Sequence, residues 1–241
     1  MAARSDPKTR MQFRNAFLSS MNTCDIEALS PHLRETTLFR GQTLSASGDV
    51  VRSVYFPSSS AIGIAAVMSD GREVQTATIG YENVAGLLPG LTQVACPSRM
   101  FVQMGGGAIS LPADKLSARA DASPTLVALI LRFAQVRAVQ AAQSAACNAL
   151  HPLSGRLARW ILICDDRIDQ PAMTLTQGDM AVMCGALRSS ISVTAGEFKR
   201  DRLIQYRRGL IEILDRPGLE RQACECYASD RARRLQLSKA A

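Results

Sequence analysis

Residues 175–198 read LTQGDMAVMCGALRSSISVTAGEF. In the first half, Leu175, Met180, Ala181, Met183 and Cys184 recur at helical spacing. Gly185 follows at once, where a sharp turn needs a left-handed backbone that costs little only for glycine. Ile191, Ala195 and Phe198 give a second helix its inward face, which leaves Arg188, Ser189, Ser192, Val193 and Gly196 outward. That outward face is short, cationic at its start and rich in small polar residues. Such a face suits the major groove of DNA, where helix N-terminal residues meet base edges. Two ordinary amphipathic helices in an all-α core satisfy the same spacing.

The next residues add a second element. Arg200-Asp201-Arg202-Leu203-Ile204-Gln205-Tyr206 leads to Arg207-Arg208-Gly209 and then to Leu210-Ile211-Glu212-Ile213-Leu214. Two apolar-rich runs around a glycine-containing turn predict a β-hairpin, whose arginines would lie against phosphates. Helix-turn-helix plus basic hairpin is a winged helix. Leu175 to Tyr227 resembles the DNA-binding domain of the CRP/FNR superfamily of bacterial transcription regulators. The residues that carry the resemblance are Leu175-Thr176-Gln177, Gly185, Arg188-Ser189-Ser190, Leu203-Ile204-Gln205-Tyr206, Arg208-Gly209 and Ile213-Leu214-Asp215-Arg216. The tail Gly218-Leu219-Glu220 and Ala223-Cys224-Glu225-Cys226-Tyr227 is similar to a branch of that superfamily without an assigned effector. The resemblance gives Arg188 a base-reading role through the paired acceptors of guanine. Thr176 and Ser190 are phosphate donors in this reading, together with Gln177, Ser192 and Arg208. The usual acidic residue is replaced by Ser189, and the second base-reading arginine falls on Val193.

Residues 32–114 have a different character. Short apolar runs alternate with turn clusters: Thr36–Phe39, Val51–Phe56, Ala61–Met68, Glu73–Ile79, Phe101–Met104 and Ala108–Leu111. Regular short strands with turn signals indicate an all-β sandwich or barrel, and Asp70-Gly71 is a hairpin signal. Gly41-Gln42, Gly48-Asp49, Val54-Tyr55-Phe56-Pro57, Asp70-Gly71-Arg72-Glu73-Val74 and Gly86 resemble the double-stranded β-helix, or β-roll, of cyclic-nucleotide-binding domains. Ser60 stands where that family usually has glycine.

The resemblance also implies where an effector would sit. A carboxylate must accept from ribose, an arginine must hold the cyclic phosphate, and a hydroxyl must read the base. The family glutamate follows the glycine matching Gly86, but here Leu87 follows. The phosphate pair falls near Ser98-Arg99, with no hydroxyl after the arginine, and the base-reading pair falls on Ala141-Ala142. Glu82 offers a carboxylate in another register. The expected pocket is therefore Gly86, Leu87, Ser98, Arg99, Ala141 and Ala142. Cyclic AMP binding of the usual kind is not expected, and an effector of another kind, or none, is.

From Ser123-Pro124 a long helix is predicted, with serine as cap and proline at its first position. Leu126, Leu129, Phe133, Val136, Gln140, Gln143, Cys147 and Leu150 fall at alternating steps of three and four, a heptad seam. The same seam fits a helix packed on its own roll, while the family uses this helix for a dimer. We expect dimerisation through Leu126, Leu129, Phe133, Val136, Gln140, Gln143 and Cys147. Two recognition helices would then read successive major grooves of a near-palindromic site about 34 Å apart. His151-Pro152 should interrupt the helix and mark a hinge. After it, Leu157, Trp160, Ile161 and Cys164 form the inner face of a further helix. Before the roll, Phe13, Phe17, Leu18, Met21, Ile26 and Leu29 indicate a small packing helix pair in the first thirty residues. The expected architecture is α+β: helices and sensor roll at 1–122, dimerisation helix at 123–150, winged helix-turn-helix at 151–241.

Composition narrows the function classes. Of 241 residues, 47% are hydrophobic and the formal net charge is +7, which mildly favours a polyanionic partner. No run approaches 18 consecutive apolar residues, so no membrane partner is expected. The first ten residues lack the apolar core of a secretion signal. Seven cysteines, an odd number in mostly apolar helical contexts, point to reduced thiols and a cytoplasmic setting. They offer no closely spaced set of four, so no iron–sulfur cluster is expected. His32 and His151 are the two histidines, too few for a histidine-rich metal site, and neither is read as a haem ligand. No cofactor and no metal are expected. Cys224-Glu225-Cys226 has Cys-x-Cys spacing with no histidine near in sequence, and no nucleophile–base pair or phosphate-cradling loop is found. The expected function is a homodimeric, sequence-specific DNA-binding regulator, not an enzyme, for which RNA polymerase contact is open. The alternatives are a cyclic-nucleotide-responsive regulator with an altered pocket, and a redox-active thiol protein.

Overall fold

A computed structural model describes residues 13–168 and 170–239. Two short helices come first, α1 (Ala16–Ser20) and α2 (Thr23–Leu29), followed by a single 3-10 turn. Asn15 and Asn22 cap them through side-chain oxygens that accept backbone N–H groups. The part of the helical expectation that falls on residues 1–12 lies outside the described residues.

The strands β1 (Arg34–Leu38), β2 (Thr43–Ser45), β3 (Ser53–Pro57), β4 (Ala61–Val67) and β5 (Glu73–Ile79) follow. Helix α3 (Leu87–Thr92) then precedes β6 (Ser98–Met104) and β7 (Gly106–Pro112). All pairings are antiparallel, in two sheets of order β1-β7-β3 and β2-β6-β4-β5. This is the β-roll that the turn spacing indicates. The Asp70-Gly71 hairpin joins β4 to β5, with Gly71 at φ +82°. Gly106 sits where a Cβ would lie 2.5 Å from the Ser59 carbonyl oxygen, so only glycine lets the two chains approach there. Ser60 fits in place of glycine because its hydroxyl donates to the Gly107 carbonyl at 3.0 Å.

The roll is closed from below by α4 (Ala113–Asp121) and α5 (Pro124–Leu150). Ser123 caps α5 by accepting from the Leu126 N–H, and Pro124 takes the first turn. Phe17, Phe56 and Phe133 meet beneath the roll, with Phe17 and Phe133 edge to face at 5.0 Å. The helix ends at His151, which precedes proline.

The chain then forms α6 (Leu153–Asp165), β8 (Met173–Thr174), α7 (Gln177–Cys184) and α8 (Arg188–Arg200). The hairpin β9 (Ile204–Arg207) and β10 (Leu210–Ile213) leads into α9 (Arg216–Gln222) and α10 (Cys226–Lys239). Buried Leu157, Trp160, Ile161, Met180, Ile191, Phe198 and Ile211 form one core from all these elements. That core reaches Ala61 and Met104 of the roll, so the winged helix rests on the β4-β5-β6 face. Buried Arg167 fastens the two, its Nε donating to Glu82 Oε1 at 2.8 Å.

The long helix corrects the expected dimer seam. Leu126, Leu129 and Phe133 are buried in the chain's own lower core, with Val136 packed against it. Gln140 donates to Asp230 of α10, Gln143 donates to the Cys226 sulfur, and the Cys147 sulfur meets Cys224. These seven residues therefore face their own chain. The opposite face carries Ala128, Leu131, Gln135, Ala138, Ala142, Ala145 and Ala149, all exposed and again spaced by alternating threes and fours. Leu131 is 60% exposed there, flanked by exposed Val127 and Val139. An 18-residue window of α5 has mean hydropathy 1.3 and is only 28% buried, long and apolar enough to cross a membrane by composition alone.

Candidate nucleic-acid interface

The interface is built on the α7–α8 pair. Thr176 caps α7 in a reciprocal box: its hydroxyl accepts the Asp179 N–H at 3.1 Å, and Asp179 accepts the Thr176 N–H at 2.7 Å. Gly185 ends α7 at φ +57°, and Arg188 opens α8 three residues further on. Ile191, Thr194, Ala195 and Phe198 are buried and fix the rotation of α8 about its axis. Arg188, Ser189, Ser192 and Val193 are thereby exposed, and Ser190 is half-buried. Val193 is 64% exposed, an apolar side chain on a polar face that a thymine methyl could meet. Leu187 stands at the cap position of α8 without a side-chain cap, which leaves the first N–H groups of that helix open to an anion.

The wing is a two-residue hairpin. Arg208 (φ +51°) and Gly209 (φ +80°) both occupy the left-handed region that such a turn requires. Its tip is tied to the start of the helix pair, because Leu175 N–H donates to the Gly209 carbonyl at 2.8 Å and β8 pairs with β10. Arg207 and Arg208 are exposed in the turn whose Gly209 packs against Thr176, and Lys199, Arg200 and Arg202 are exposed at the far end of α8. Cations thus flank the recognition helix at both ends. Gln177 and Ser192 are joined to each other, Gln177 Nε2 donating to the Ser192 hydroxyl at 3.1 Å. The two helices therefore present one continuous polar surface.

The expected effector residues do not converge. Gly86 begins α3 in a left-handed conformation, against Val51 and Met100 inside the roll. Leu87 is buried in the lower core. Arg99 is next to Met100 on β6 and so points to the opposite face of the sheet. There its Nε donates to Glu73 Oε1 at 2.8 Å, and the guanidinium covers the Phe101 ring at 4.1 Å. Ser98, at the start of β6, pairs with Ala66 of β4; Ala141 is half-buried, and Ala142 lies on the exposed face of α5. The space between the sheets is filled by Leu38, Val51, Ile62, Ile79, Ala85, Met100, Val102 and Ala108. Glu82, the substitute carboxylate, is committed to Arg167.

One proximity is absent from the sequence reading. His151 and the Cys224-Glu225-Cys226 segment are about seventy residues apart, yet His151 Nδ1 lies 3.5 Å from Cys226 Sγ. No local motif signals it, since the fold alone brings the segments together.

Comparison with known proteins gives this geometry its relatives. Residues 155–222 match the Crp-like helix-turn-helix domain. A stretch of 72 residues is 42% identical to the HTH-type transcriptional regulator Cmr of Mycobacterium tuberculosis, covering 30% of this chain and 28% of that regulator. A crp/fnr-family structure from Eubacterium rectale superposes with a TM-score of 0.70 at 15% identity, over 88% of this chain and 99% of that one. FixK2 from Bradyrhizobium japonicum gives 0.68 at 15% identity, over 80% of this chain and 98% of that one. The roll, long helix and winged helix are thus the CRP/FNR fold. The domain match covers the C-terminal residues 155–222, and the fold likeness covers most of the chain.

Proposed function

We propose that the chain is a sequence-specific DNA-binding transcription regulator that acts as a homodimer. The observation that carries this is the open face of α8, with Arg188 at its start, Ser189, Ser192 and Val193 along it, and the Arg207-Arg208 wing beside it. Arg188 reads a base; Ser190, Thr176 and Arg208 position the phosphate backbone. The second copy covers the exposed Ala128–Ala149 face of α5, whose small side chains let two helices approach closely. That assignment also accounts for the apolar surface of α5 without a lipid phase. Two-fold symmetry then sets half-sites about one helical turn of DNA apart.

The sensor reading follows from the filled roll. Cyclic nucleotide is not the effector in this proposal, because the interior is apolar and packed and the cationic Arg99 lies on its outer side. Selection of genomic fragments by the purified chain, followed by binding at increasing salt, tests the whole reading. The expected result is enrichment of near-palindromic fragments and a steep fall of affinity with salt. Leu131→Asp places a charge on the proposed dimer face and is expected to yield a folded monomer that binds full sites about 100-fold more weakly. No preference for any fragment over random duplex would defeat the proposal, and an unchanged dimer in the variant would defeat its α5 component.

A further inference from the structure

Four side chains meet where the long helix, the hinge and the C-terminal helix join. Cys147 is on the last turns of α5, His151 ends that helix, and Cys224 and Cys226 bracket the entry to α10. One ligand atom from each lies within 4.8 Å of all the others. Cys147 Sγ is 3.5 Å from Cys224 Sγ, and Cys226 Sγ is 3.5 Å from His151 Nδ1. Thiolates about 2.3 Å from a tetrahedral zinc ion stand about 3.8 Å from one another, so these separations are close to tetrahedron edges. We propose that Cys147, His151, Cys224 and Cys226 form a closed tetrahedral Cys3His zinc site that clamps α5, the hinge and α10 together.

The surroundings have the features that such a site needs. His151 offers Nδ1 to the cluster while its Nε2 lies 3.8 Å from an exposed Glu225 carboxylate oxygen, which a small side-chain movement would bring into the hydrogen bond that orients a metal-bound imidazole. Gln143 Nε2 donates to the Cys226 sulfur at 3.0 Å, which fixes the orientation of that side chain. The Cys224 N–H donates to the Gly155 carbonyl, and a Cβ at Gly155 would lie 3.4 Å from Cys224, so α6 holds that loop in place. Three thiolates and a neutral imidazole around a divalent ion carry a net charge of −1. Buried Arg159 acts electrostatically on Cys147, and its Nε and Nη1 lack hydrogen-bond partners among the described residues, so a compensating cation is at hand.

The other buried thiols behave differently. Burial pushes Cys164 and Cys184 up to about 12, and neither belongs to a cluster. Metal binding would displace the protons of the thiols it ligates.

The test uses the full chain, prepared without a metal-binding tag and kept under a thiol reductant. Elemental analysis is expected to find close to one zinc per chain. X-ray absorption at the zinc edge should read three sulfurs and one nitrogen, with no variant needed. Cobalt(II) added to stripped protein should give a thiolate-to-cobalt charge-transfer band and the intense visible bands of a tetrahedral centre. Cys226→Ser and His151→Ala should each remove these signals, Glu225→Gln should weaken zinc about tenfold or more, and Cys96→Ser should change nothing. A wild-type chain that takes up no zinc under reductant, or a cobalt spectrum of octahedral type without the thiolate band, overturns the site. So does retention of full zinc affinity in both ligand variants.

Discussion

The interior of the roll and the outer face of α8 are opposites. In the CRP/FNR fold the first is the place for a signal and the second for DNA. Here the first is shut: eight apolar side chains fill it, and the carboxylate that could have met a ribose is bound to Arg167. The second is open, with its polar side chains exposed and cations at both ends. One surface is thus polar and open, the other apolar and packed. In the proposed reading, a signal to this chain enters by another route than a ligand between the two sheets.

Four measurements break or sharpen that contrast. The largest effect is expected from Arg167→Met, which leaves Glu82 buried without its partner. Breaking a buried pair of this kind costs about 3–5 kcal/mol, read as a lower midpoint in chemical denaturation. A change within about 0.5 kcal/mol would mean that Glu82 is free for other work. Next comes Arg188→Ala, expected to cost about 1–3 kcal/mol and to relax one base position in a selection experiment. Equal loss on all sequences would move Arg188 from base to phosphate. Arg208→Ala is smaller, with a nearly uniform loss and a salt slope reduced by about one. Last, titration of the chain with cyclic AMP or cyclic GMP in a calorimeter should release no heat and leave Tm unshifted. Saturable heat with either nucleotide would reopen the roll as a sensor.

Much of the architecture is legible in the sequence because its signals are local. Glu73–Ile79 is bounded by Asp70-Gly71 before and Gly80 after, and the strand occupies those residues. The Gly185 turn and the Arg208-Gly209 wing are legible for the same reason, since few residues tolerate a positive φ. The long helix was harder. It is apolar nearly all round, and two heptad seams run along it, one through Leu126 and Phe133, the other through Leu131 and Ala138. Periodicity gives both seams but not their partners. The heptad spacing and the family resemblance point to the first as a dimer face, whereas the lower core takes its side chains, because burying Leu and Phe stabilises more than burying Ala. The Cys147–His151–Cys224–Cys226 group lay beyond any spacing rule, because its halves sit at opposite ends of the C-terminal unit. Its separation in sequence hides it, and the packing of α10 on α5 creates it.

A single oxygen joins the two contrasted regions. Asp179 Oδ2 accepts from the Thr176 N–H, from the Thr176 hydroxyl at 2.8 Å, and from the guanidinium of Arg40, which belongs to the loop after β1. The atom that fastens the first turn of the reading head is thus also the counter-ion of the roll. Pulling Arg40 away would cut this tie to the roll while leaving the reciprocal Thr176–Asp179 cap in place.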